Sequence, residues 1–429
     1  MKMKTLMNCL FALCLVIVGV SGPDPVTAGM NTDGQVVGPG VPYGSSDIQL
    51  AVILAEDSYR PVYVPPPAEW KVTAAGVNAL NFRVNYNPAS CEGALAPWSA
   101  DARAAFDFAA SIWSSLLEGS VPVTIDACWR TDMDARILGS ARPTTFWAWW
   151  DSGPALLETW HPIALANQIE RQDLNGADAE IYAQFNSTFN WYFGTDGHPG
   201  DRYDFVSVVL HEIGHSLGFT DSMRRDDGAG NAECTGVANV GCWGYLNPVT
   251  QTIYPTYYDR LIENGSGQGL VSAFANSSTA LGSQLISDNL WLAGANARAV
   301  QAGLRPKLYA PTSFAPGSSV SHLDQNTFRN TTDALMTPAR ARGEAIHHPG
   351  EITLGLFRDM NWLPVYVDAN FIGVEFGSDT HPYNTVNEGA NAAAVSGVLM
   401  IRTGNYRGTV YITKAMMLKS TGGLVTIGQ

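Results

Sequence analysis

His211-Glu212-Ile213-Gly214-His215 decides the reading of this chain, because it sets two imidazoles and one carboxylate at the spacing that zinc-assisted hydrolysis requires. The stretch before it, Tyr203-Asp204-Phe205-Val206-Ser207-Val208-Val209-Leu210, is largely bulky and apolar with no Gly or Pro, and predicts the first turns of a buried helix. Residues four apart share a helix face, so His211 and His215 can reach one metal. Glu212 lies beside them, placed to take a proton from water rather than to ligate. Gly218 offers a stop nearly one turn later, where the chain can turn sharply under the metal. Two histidines on an ordinary helix can also be plain core or surface residues; the apolar lead-in and the stop glycine weigh for the metal.

Such a site needs a third protein ligand, and the sequence offers two. Asp221, ten residues after His211, is spaced so that a reversal at Gly218 could return its carboxylate. His322, far downstream, would complete a neutral shell of three imidazoles, and Leu335-Met336-Thr337-Pro338 follows as an apolar turn that could floor the site. The letters Gly214-His215-Ser216-Leu217-Gly218 also spell the Gly-x-Ser-x-Gly elbow of serine hydrolases, with residues 206–210 as its strand. The overlapping two-His, one-Glu spacing accounts for more of the same residues.

In the order of these pieces (His211 to Phe219, a long insertion, Ser321-His322, then Leu335-Met336) the chain resembles the metzincin metallopeptidases, and within them the leishmanolysin-like group. The resemblance covers roughly residues 77–364. It implies zinc held by His211, His215 and His322, Glu212 as general base, Gly218 as the turn residue and Met336 as the floor. The commoner metzincins keep a ligand at the position held here by Asp221, and a few related peptidases use aspartate there, so Asp221 stays an alternative ligand. The resemblance also implies that an edge strand before the motif helix pairs with extended substrate, and Ile181-Tyr182-Ala183-Gln184-Phe185-Asn186 is the stretch that corresponds.

The amino terminus assigns a compartment. Lys2 and Lys4 precede an apolar run over residues 6–20, and small residues follow through Ala28. This is the shape of a secretory signal peptide, over residues 1–28, and the run is shorter than the roughly 20 apolar residues a bilayer span requires. Four cysteines remain after it, and an even count in an exported chain argues for disulfides. Local order suggests Cys91 with Cys128 and Cys234 with Cys242. A net charge of -14 opposes unassisted nucleic-acid binding, and 46% apolar residues support a globular protein. The expectation is a secreted, periplasmic or extracellular protein without a membrane span, acting on protein or peptide.

Residues 29–76 form a leader, read as propeptide or linker; Pro61-Val62-Tyr63-Val64-Pro65-Pro66-Pro67 excludes a helix there and predicts an extended spacer. The leader has no cysteine to cap a zinc ion, and Asp47, Glu56 and Asp57 are its candidate carboxylate plugs. From residue 77 the pattern is strand (80–86), helix (100–117), strand (121–126), strand (181–186) and motif helix, an α/β (α+β) domain continuing to 364. Trp147, Trp149 and Trp150 read as core or aromatic surface packing before any sugar platform. The insertion, 219–321, carries an amphipathic helix near 289–301 and the oxygens of Asp226, Asp227 and Asn231, suited to calcium but without ordered spacing. A closing helix is expected over 352–362. Residues 365–429 hold short strand-like pieces at 398–401, 408–413, 415–419 and 424–427, and look like the opening coils of right-handed parallel β-helix proteins, notably in Asn384-Thr385-Val386-Asn387-Glu388-Gly389. The function these features predict is a secreted zinc metalloendopeptidase; the competing class is a binding or adhesive protein with a structural or inactive metal site.

Overall fold

The computed structural model describes residues 29–30, 36–37, 40–44, 48–68, 70, 79–228 and 233–428; the signal-peptide expectation, Asp47 and Asn231 lie outside them. Six strands make the main sheet: β1 (Ala51–Val64), β2 (Phe82–Tyr86), β3 (Val123–Arg130), β4 (Ile137–Pro143), β5 (Ile181–Asn186) and β6 (Ala339–Ile346). Their spatial order is β6-β1-β4-β5-β3-β2. β5 runs parallel to β3, β3 runs parallel to β2, and β4 is antiparallel to both its neighbours, β5 and β1.

Helix α1 (Ala100–Leu116) starts where Ser99 accepts a hydrogen bond from the Ala102 amide. Its buried positions, Ala102, Ala105, Phe106, Ala109 and Trp113 among them, repeat every three or four residues and form one apolar stripe. That stripe packs against the motif helix, and the Trp113 indole N–H donates to the Leu210 carbonyl at 2.9 Å. A short helix, α2 (Ile163–Glu170), covers Trp149 on the far side. Trp147 and Trp149 are buried, and Trp150 packs on a neighbouring apolar cluster, so these rings are core. Disulfides join Cys91 to Cys128 and Cys234 to Cys242.

Three expectations need correction here. Ile181–Asn186 is not an edge strand: β4 covers one side and β3 the other, so its backbone groups are already paired. Residues 51–64 are no spacer but β1, an integral strand that pairs antiparallel with β4 and then parallel with β6; its charged residues find distant partners, Glu56 with Arg329 and Arg60 with Glu344. The helix expected near 289–301 begins later: Leu290–Leu292 is a strand with Leu290 and Leu292 buried on one face, and only Ala295–Val300 is helical.

The closing helix α4 (Glu351–Asp359) follows β6, while the motif helix α3 (Phe205–Ser216) lies beneath the sheet. Beyond it the carboxy-terminal residues build a smaller parallel sheet, β7 (Val365–Val367), β8 (Val398–Tyr406) and β9 (Met417–Ile427), with its own apolar cluster. The stretch from Asn384 to Gly389 is not extended: Thr385 and Glu388 close a capping box that starts helix α5 (Val386–Ala392). Residues 408–413 form no strand, and the last two pieces merge into β9. Among the described residues, no helix is long and apolar enough to cross a membrane.

Candidate metal centre

Asp204 caps α3, accepting from the Ser207 amide at 2.8 Å and the Ser207 hydroxyl at 2.6 Å, and every residue of the helix is buried. The same carboxylate meets His347 Nε2 at 2.9 Å, which ties the helix start to the chain after β6. The 3.6-residue period then turns His211 and His215 to one face, with their Nε2 atoms 2.9 Å apart. His322, 111 residues after His211, closes the group: its Nε2 lies 3.1 Å from that of His215 and 3.3 Å from that of His211. Among the described residues this is the one cluster of three or more His, Cys, Asp or Glu side chains whose ligand atoms converge.

Each imidazole is oriented from behind by a backbone carbonyl. Nδ1 of His211 meets Leu335 O at 2.6 Å, that of His215 meets Phe219 O at 2.7 Å, and that of His322 meets Ser318 O at 2.8 Å. A carbonyl only accepts, so Nδ1 carries the hydrogen and Nε2 keeps its lone pair. Burial holds all three histidines below the usual imidazole range, His215 to about 4, and the neighbouring imidazoles and then Arg340, disfavouring a further positive charge, add to the depression at His211 and His322. Three neutral rings with lone pairs facing one centre repel unless a cation lies between them, so His211, His215 and His322 could hold a metal ion.

The supporting carbonyls have identifiable causes. At Gly218 φ is 131°, a backbone state open mainly to glycine, and the reversal there returns Phe219 O to His215. Leu335 belongs to the single turn Ala334–Met336, held by Arg340, whose Nη2 donates to Leu335 O at 2.6 Å. Met336 is fully buried below the motif helix. Arg340 escaped the sequence reading, because its partners are backbone carbonyls that no side-chain spacing announces.

Glu212 is fully buried, and both its carboxylate oxygens lack a hydrogen-bond partner. Burial pushes its pKa well up, and the Ile53 amide approaches closely enough to oppose that rise without forming a full hydrogen bond. Asp221 is outside the imidazole cluster: its Oδ1 accepts from the Met223 amide at 2.6 Å, and burial followed by Asp259 raises its pKa. Glu56 is engaged by Arg329, Arg60 and Ser58, and Asp57 by Arg342, so neither plugs the site. Ser216 is inside the helix end, its hydroxyl donating to Glu212 O, and residues 206–210 are helical, which removes the strand a serine elbow needs. Asp226, considered for calcium, spends both oxygens on the amides of Glu233, Cys234, Thr235 and Gly236, organising the loop beside the second disulfide.

A family model described as SPBPB7E8-like matches residues 68–229, a stretch that includes α3 but neither His322 nor Met336. No curated protein and no solved structure matches the chain.

Proposed function

We propose that the chain is an exported zinc-dependent endopeptidase of metzincin type, as its motif order suggests. The observation that carries this reading is the convergence of three imidazole Nε2 atoms, 2.9 to 3.3 Å apart, two of them from a helix that also carries the buried, unpartnered carboxylate of Glu212. The donor set fits zinc: with Zn–N bonds of about 2.0–2.1 Å, tetrahedral geometry separates ligand nitrogens by about 3.3 Å, and three protein ligands leave a fourth position open. Two disulfides are in keeping with an oxidising compartment.

Zinc held by His211, His215 and His322 would polarise a scissile carbonyl and bring water's pKa down to about 7. The chain's own part falls to Glu212. It occupies the position after His211, off the ligating face, and no hydrogen bond competes for its oxygens. Its free oxygens suit it to accept the proton of attacking water and pass it to the leaving nitrogen. The Nδ1 contacts to Leu335, Phe219 and Ser318 hold the imidazoles in the ligating tautomer throughout. A peptide substrate is favoured because extended backbone lies alongside β4 next to Glu212, the strand that replaces Ile181–Asn186 in this role.

Complete burial of the three histidines and Glu212 favours a second reading, a structural metal site in a binding protein. The deciding experiment combines zinc stoichiometry with cleavage of denatured casein by the chain, whole or trimmed at its amino terminus. Chelator-sensitive cleavage restored by zinc supports the peptidase; stoichiometric zinc without cleavage in either form supports the structural site.

A further inference from the structure

A hydrolase of proteins must admit an extended backbone, yet His211, Glu212, His215 and His322 all have no exposed surface. The start of β1 runs along the strand that faces Glu212. Residues 51–54 pair antiparallel with β4, in the register Ala51↔Ala141, Val52↔Ser140, Ile53↔Gly139 and Leu54↔Ile137. On their other edge Val52 N–H donates to Gly317 O and Leu54 N–H to Pro338 O, each at 2.9 Å, and parallel pairing with β6 begins at Leu54↔Ala339.

These anchor points belong to the metal centre. Gly139 faces Glu212 closely: a Cβ there would stand 3.3 Å from Oε1. Gly317 opens the short segment that delivers Ser318 O and His322, and Pro338 stands two residues after Met336. The tetrapeptide Ala51-Val52-Ile53-Leu54 therefore bridges the strand facing Glu212 and the segment that leads to His322, bonded along both edges as an extended peptide in a cleft would be. It carries no group able to ligate a metal, so it blocks by occupying space and backbone partners, not by capping the ion. Farther along, Glu56 with Arg329, Arg60 with Glu344 and Asp57 with Arg342 clasp the strand in place.

We propose that residues 51–54 are an internal occupant of the substrate cleft, keeping the chain latent until β1 leaves the outer edge of β4. The proposal rests on the peptidase reading and adds its regulation: the edge of β4 that Val52 and Ile53 cover is where an extended polypeptide would bind. Ile53 opposite Gly139 places a bulky side chain where the sheet itself supplies none, so an occupant with a large apolar residue at that point fits best.

The test compares the intact zinc-loaded chain with Val52→Pro, which removes the N–H bonded to Gly317, and with the double variant V52C/S140C, which can cross-link the directly opposed pair. Three quantities are read: zinc content, rate of zinc loss to a chelator, and casein cleavage. The expected result for V52P is retained zinc, faster loss to chelator and cleavage about tenfold or more above the intact chain, since apparent activity scales with the open fraction. Oxidised V52C/S140C should be slower than its mildly reduced form by a similar factor, with the parent treated identically as control. Where the chain cleaves casein at all, a folded, zinc-loaded V52P that cleaves no faster than the parent, or an oxidised double variant as active as its reduced form, overturns the proposal. If V52P does not fold, the cross-link comparison decides alone. Faster zinc loss from V52P with no cleavage by any form would instead reject the peptidase reading while leaving strand occupancy standing.

Discussion

The sulfur of Met336 lies directly beneath Gly214, 3.1 Å from where a Cβ on that residue would stand, so turn and motif helix touch between Glu212 and His215. Because Leu335 next to it supplies the carbonyl that orients His211, packing and ligand geometry are coupled here. Met336→Ala should cost about 2–5 kcal/mol, the usual range for emptying a buried site of this size, whereas Met336→Leu should stay within about 1.5 kcal/mol. Urea denaturation of both variants, alongside metal titration, checks this. Equal effects of Ala and Leu would mean that the thioether itself, not its volume, is needed.

Glu212→Gln removes the proposed base without changing shape. Zinc content should be unchanged and peptide cleavage should drop by about 10²–10⁴, the typical contribution of general base catalysis. The comparison is made on the active form of the chain, with metal analysis on the same sample. Retained turnover would assign the proton transfer to another group.

The choice of third ligand is settled by metal content. His322→Ala should lose most of the zinc, because it leaves only the two imidazoles of α3. Asp221→Asn should keep it, since the amide oxygen can still accept from Met223 and the carboxyl is already biased toward its neutral form by burial. Loss of zinc in the Asp221 variant alone would move the third ligand to the short spacing.

The motif helix was legible because what announces it is local: an apolar run, two histidines one turn apart and a glycine that can reverse the chain. His322 was legible only through the order of family-like pieces, since nothing within several residues of it announces a ligand. Ile181–Asn186 was misplaced because its edge position was carried over from the resemblance, while its own residue pattern is silent on whether the strand has one neighbour or two. β1 was missed for a different reason: Glu56, Asp57 and Arg60 look solvent-facing until Arg329, Arg342 and Glu344 are brought to them from far along the chain. Helix α5 did carry a sequence signal, Thr385 with Glu388 three residues on, which the strand-like reading of that stretch passed over.

Away from the imidazole cluster, Glu170 makes stability depend on pH. Its carboxylate is buried at the end of α2, where Oε1 accepts from the Trp149 indole at 2.7 Å. Burial raises its pKa to about 7, against a smaller lowering by that hydrogen bond. The folded chain therefore keeps a proton that the unfolded chain releases near its ordinary value of 4.5, so folding is favoured most below 4.5 and loses stability as pH climbs towards 7. Glutamine at this position can accept from Trp149 in the same way and does not ionise. The difference in unfolding free energy between Glu170→Gln and the parent should grow in the variant's favour from pH 4.5 to pH 7 and then level off, by an amount on the order of 2 kcal/mol. Urea unfolding of both chains at pH 4.5, 6 and 8 measures it, and a difference that stays constant across the three values would show that Glu170 does not titrate in this window.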